Sequence, residues 1–115
     1  NIYATVGIHP HESKNAPKTY LNTLETYAKN HKVVAIGEIG LDYFYNNSDP
    51  EIQKKVFKEQ MEIIKNLNYK FYNPSFFEKN FKNEKSEKKI LITIDDAFSS
   101  FYQNAWPFFA TLFLL

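Results

Sequence analysis

Two short apolar runs, residues 2–7 and 33–37, do most to limit what this chain can fold into. Both are rich in β-branched residues, both end in glycine, and both are too short for a helix. The first alternates and reads as a buried strand running out to His9. The second suits a central parallel strand. Between them, Leu21, Leu24, Tyr27 and Ala28 recur at helical spacing over residues 18–30, with Pro17 near the start. Residues 41–47 read as a loop. Ser48 and Glu51 then fit a capping box with Pro50 in the first turn, where a missing N–H costs nothing. The helix that follows carries Ile52, Val56, Ile63, Ile64 and Leu67 on one side. A βαβα order of this kind predicts an α/β fold with a short parallel sheet and crossover helices.

Beyond residue 67 the texture changes, which places a domain boundary between 1–67 and 68–115. Residues 68–83 are dominated by Asn, Lys, Phe and Tyr, with Pro74 ahead of a short predicted helix at 75–82. Residues 84–89 form a charge run expected to be a solvated loop. A strand is predicted over 90–94, a helix over 98–105 stopped by Pro107, and a final strand over 109–115. The uncharged run 108–115 is also a predicted aggregation segment, so self-association is expected.

At 115 residues the chain is long enough for one small domain, well short of the ~250 residues of a complete eight-stranded β/α barrel. It begins with Asn1 and not Met, so its start is expected to be internal to a longer protein. No leader pattern opens it, and the apolar run at 108–115 is too short to span a bilayer, so no membrane partner is expected. The chain has no cysteine, which confines any metal to His, Asp or Glu and suits a reducing, cytoplasmic location. All 14 basic residues are lysine and the net charge is +1. Without arginine there is no bidentate fork for phosphate or guanine, and without a basic stripe there is no charge-driven nucleic-acid binder.

Functional groups of parallel α/β folds collect at the carboxyl ends of strands. Three places here answer to that rule: His9 with His11, Glu38, and Asp95 with Asp96. Glu38 lies between Gly37 and Gly40, where the backbone can turn and a ligand approach, and a carboxylate there is a good ligand for a hard metal. The competing reading is a loop cap or a lysine pair. His9 and His11, two apart in an extended segment, face the same way and can share a metal; alternatively His11 bonds a loop carbonyl. Asp95 and Asp96 follow the predicted strand 90–94 and can divide the work of metal ligand and proton acceptor, unless one caps the next helix.

Residues 6–12, Val-Gly-Ile-His-Pro-His-Glu, and 35–43, Ala-Ile-Gly-Glu-Ile-Gly-Leu-Asp-Tyr, resemble the TatD family of metal-dependent deoxyribonucleases. The resemblance continues to residue 67 through Gln53, Val56, Phe57 and Gln60. It implies a partial TIM barrel, divalent metal ions (Mg, Mn or Zn), and DNA as substrate. On this resemblance Glu38 binds or bridges metal, while His9 and His11 belong to the second strand motif. The family's first His-x-His pair would precede Asn1, and its later histidines and catalytic aspartate would follow Leu67. From about Tyr69 the sequence instead resembles a polysaccharide deacetylase of the NodB type, with Thr93-Ile94-Asp95-Asp96-Ala97 at its first motif. There Asp95 would be the catalytic base, Asp96 a metal ligand and a glycan the substrate. Ala97 stands where that motif has glycine. A metal-dependent hydrolase, truncated and inactive alone, is the leading expectation. A deacetylase or a non-catalytic chimera of coding fragments is the alternative.

Overall fold

The computed structural model describes residues 2–71, 89–95 and 98–113. The chain divides into two compact units, residues 1–63 and 64–115, and each is treated by itself.

In the first unit, strand β1 (Ala4–Val6) runs parallel to β2 (Val33–Ile36). Ala4 pairs with Val33, Thr5 with Ala35 and Val6 with Ile36, with an irregularity between Ala4 and Thr5. Helix α1 (Tyr20–Ala28) makes the crossover and lies against both strands. Leu24 is its buried anchor, whereas Tyr27 is exposed. Helix α2 follows (Pro50–Asn66). The α/β class and the parallel sheet are therefore as the βαβα pattern predicts. The strands are less covered than expected: Ala4, Thr5, Val34 and Ala35 are exposed. A sheet of two strands has two open edges, and among the described residues only one helix lies along both strands.

Helix α2 departs from its predicted face. Ile52 is exposed, and the buried side is Gln53, Val56, Phe57, Gln60, Met61, Ile63, Ile64 and Leu67. These positions follow a 3-4 spacing with two glutamines in register with the apolar residues. The start also differs from the predicted capping box. Asp49, not Ser48, caps the helix, its Oδ1 accepting from the N–H groups of Glu51 (2.8 Å) and Ile52 (3.4 Å). The helix stops through Asn68, in the left-handed region at φ 59°, whose N–H donates to the Lys65 carbonyl at 3.0 Å.

In the second unit, β3 (Lys70–Phe71) pairs in parallel with β4 (Lys89–Ile90). Regular strand ends at Ile90, so the strand expected over 90–94 is cut short. The helix expected at 75–82 lies outside the described residues. Residues 101–105 form a turn of π-helix that leads directly into α3 (Trp106–Phe113). Over its described residues, 109–113, the expected final strand is thus a helix, and Pro107 does not end it. The reason lies in the π-turn, where the N–H of Trp106 reaches back five residues to the Phe101 carbonyl. That wider turn accommodates a ring that would otherwise meet the carbonyl four residues earlier. Phe101 and Phe109 then pack with ring centroids 5.8 Å apart. Among the described residues no helix is long and apolar enough to cross a membrane.

Gly7 sits where β1 leaves the sheet. A Cβ there would lie 2.7 Å from Ile39 Cγ2 and 3.1 Å from the backbone carbon and oxygen of Gly37. The two strand exits therefore touch at a point that only glycine fits. Gly7→Ala is expected to destabilise the first unit by about 1–3 kcal/mol through overpacking, measured by urea denaturation followed by circular dichroism.

Candidate functional site

Because β1 and β2 are parallel, both exits lie at the same end of the sheet. The Gly37 N–H donates to the Val6 carbonyl at 2.9 Å, extending the ladder one step past β2. Beyond this the loops leave the sheet, and their backbone groups need new partners. Two glutamines of α2, both 0% exposed, supply them. Gln60 Oε1 accepts from the Ile8 N–H (2.6 Å) while its Nε2 donates to the Ile8 carbonyl (3.2 Å). Gln53 Oε1 accepts from the Asp42 N–H (2.7 Å), and its Nε2 donates to the carbonyls of Asp42 (2.9 Å) and Ser48 (2.8 Å). A primary amide matches a peptide group in donor and acceptor, so each glutamine stands in for the neighbouring strand its loop has left.

A second tier ties the loops to each other. The buried Ser48 hydroxyl donates to the His11 carbonyl (2.7 Å) and accepts from the Lys14 N–H (3.1 Å). His11 Nε2 meets Asp42 Oδ2 at 2.7 Å. The other Asp42 oxygen accepts from the N–H groups of Phe44 (3.0 Å) and Tyr45 (3.3 Å). Partial burial pushes the Asp42 carboxyl up. The His11 hydrogen bond and the two amides outweigh it, so its pKa falls below the usual carboxylate value. An ionised carboxylate can only accept, so His11 donates from Nε2.

The predicted site residues separate in this frame. His9 caps the 3₁₀-helix Pro10–Asn15, with its Nδ1 accepting from the His11 N–H at 3.2 Å. That hydrogen bond occupies one ring nitrogen of His9. His11 has the carboxylate-backed imidazole that ligating and proton-accepting histidines use. Glu38 is exposed at the end of β2 and, among the described residues, makes no hydrogen bond or ion pair. A free carboxylate with two open oxygens suits a divalent cation as one ligand. Among the described residues no three His, Asp or Glu side chains converge into a complete metal cage. The residues present fit a metal as a partial donor set. Gly40 follows at φ 154°, a backbone that favours glycine. Asp95 is exposed in the second unit, and Asp96 and Ala97 lie outside the described residues.

Sequence reasoning passed over Asp42 and gave Gln53 and Gln60 no role beyond their resemblance. The available signal was two amides seven residues apart, in phase with an apolar helix face.

Glu38 and His11 thus both lie at the strand exits, the end of a parallel β/α sheet where functional groups collect. A family model described as TatD related DNase matches residues 1–71, and the chain belongs to that family. Among curated relatives, it is 40% identical over 67 residues to a protein of Bacillus subtilis named uncharacterized metal-dependent hydrolase YabD, covering 58% of this chain and 26% of that one. It is 39% identical over 68 residues to the 3′-5′ ssDNA/RNA exonuclease TatD of Escherichia coli K12, covering 59% and 26%. A protein of Buchnera aphidicola named uncharacterized metal-dependent hydrolase matches at 43% over 65 residues, covering 54% and 23%. The chain thus spans about a quarter of the length of the curated relatives it matches.

Two outcomes are expected from these contacts. Gln60→Leu strands the N–H and carbonyl of Ile8 and is expected to cost about 2 kcal/mol or more, read as a lowered urea midpoint. The Asp42 carboxyl has a lower pKa folded than unfolded, so its contribution to stability is full above the ordinary value of 3.8 and is lost as pH falls through the folded value. The difference in melting temperature between parent and Asp42→Asn is therefore expected to shrink on acidification below about pH 4, checked by melts across a pH series.

Proposed function

We propose that this chain carries part of the active centre of a metal-dependent nuclease of the TatD type, acting on DNA phosphodiesters, with Glu38 as a metal ligand. The observation that carries the reading is Glu38 itself. It stands exposed at the carboxyl end of β2 within Gly-Glu-Ile-Gly-Leu-Asp, and it makes no hydrogen bond or ion pair among the described residues. A divalent cation, Mg, Mn or Zn, supplies Lewis-acid polarisation of a phosphoryl oxygen when bound. Glu38 would hold it by carboxylate oxygen. His11, oriented by Asp42, offers Nδ1 either as a further donor or as a proton acceptor. His9 acts through its cap on the loop that positions His11. Gln53 and Gln60 keep both loops from drifting, which matters because small displacements of reacting groups are costly. The names of the Bacillus and Escherichia relatives support metal use and a nucleic-acid substrate. A cytoplasmic location and a boundary near residue 67 complete the proposal.

The deacetylase alternative rests on Asp95 and Asp96. Both lie beyond the family match over residues 1–71, and no described contact favours a glycan as substrate.

The test is a thermal melt with and without Mn²⁺ on the parent, Glu38→Gln and Asp95→Asn. At 100 times its Kd a cation that binds only the folded chain stabilises it by ~2.7 kcal/mol. The shift is expected in the parent and in Asp95→Asn and not in Glu38→Gln. An undiminished shift in Glu38→Gln would remove the basis of the reading.

A further inference from the structure

Four rings drawn from both strand-exit loops form one continuous edge-to-face series. The His9 and His11 centroids are 4.5 Å apart at 85°, those of His11 and Tyr45 5.5 Å apart at 73°, and those of Tyr45 and Phe44 4.9 Å apart at 86°. The series starts at half-buried His9 and ends on two rings that face outward, with Tyr45 65% and Phe44 87% exposed. Their neighbour Tyr43 turns the other way and is half-buried, its hydroxyl inaccessible and without a partner among the described residues.

The outward pair is held in place. Asp42 Oδ1 accepts from the backbone N–H of both Phe44 and Tyr45, and Asp42 is itself fixed by Gln53 and His11. Their loop begins at Glu38. A polyanion approaching here finds no arginine and a net charge of only +1, so phosphate contacts supply little of its affinity. Aromatic faces can, because every unpaired base presents a π-face and stacks with little regard to sequence. Duplex bases are already stacked on each other and offer no such face.

We propose that Phe44 and Tyr45 form a stacking platform for unpaired bases of a single-stranded nucleic acid, on the loop that begins at Glu38. The choice of ligand rests on the nuclease reading above.

The experiment is fluorescence anisotropy with a short labelled oligothymidylate and a blunt duplex of equal length, in EDTA at fixed salt. The parent is expected to bind the single strand more tightly than the duplex. Phe44→Leu and Tyr45→Leu keep an apolar side chain but lose the ring, and each is expected to weaken single-strand binding about fivefold or more. Phe44→Trp is expected to bind at least as well as the parent, and unchanged melting temperatures confirm that the variants are folded. No single-strand binding by the parent, no preference over duplex, or unchanged affinity in both leucine variants overturns the proposal. EDTA separates the two readings. Loss of stacking with an intact Mn²⁺ shift therefore sinks this inference alone. Intact stacking with no Glu38-dependent shift sinks the nuclease assignment alone.

Discussion

Two primary amides hold the strand exits of the first unit where the peptide groups of a further strand would otherwise be needed. Leaving a sheet exposes a donor and an acceptor at every residue, and an unpaired buried peptide group costs about as much as a lost hydrogen bond. Gln53 and Gln60 meet that demand from the side, at Asp42 and at Ile8. With those points fixed, Ser48 can bridge the loops and His11 can reach Asp42. Remove the amides and the imidazole–carboxylate pair loses its frame.

Above the amides the character of the contacts changes. The deepest tier is neutral and fully enclosed, the middle tier is a half-buried pair of opposite polarity, and the outermost residues Glu38 and Phe44 are exposed. Such a gradient lets the exposed end face solvent without loosening its base. Charged groups are costly to bury unless paired, and Asp42, the carboxylate drawn inward at the loops, has its oxygens occupied.

Much of the first unit was legible because β-branched runs ending in glycine and a 3.6-residue period are local signals. Both strands, both helices and the parallel pairing follow from them. The face of α2 was misread at Ile52 because apolar periodicity assigns no burial to glutamine, and Gln53 is enclosed in its place. Ser48 was assigned the cap for its type, yet its hydroxyl is committed to a loop 37 residues away. The second half was harder to read: Pro107 is a stop signal on any local rule, and only a π-turn, which no periodicity announces, carries the helix past it. Glu38 stood out in the sequence as a candidate because an acid follows a strand directly. Its neighbour Asp42 did not, since its role depends on a histidine 31 positions earlier.

The two glutamines also make α2 a ruler. Seven residues span two turns, about 10.5 Å of helix axis, and that length is what separates the grip on one loop from the grip on the other. A single inserted residue between them would swing one amide about 100° around the helix and off the enclosed side. The stretch from 53 to 60 is therefore fixed in length, whatever its exposed residues become.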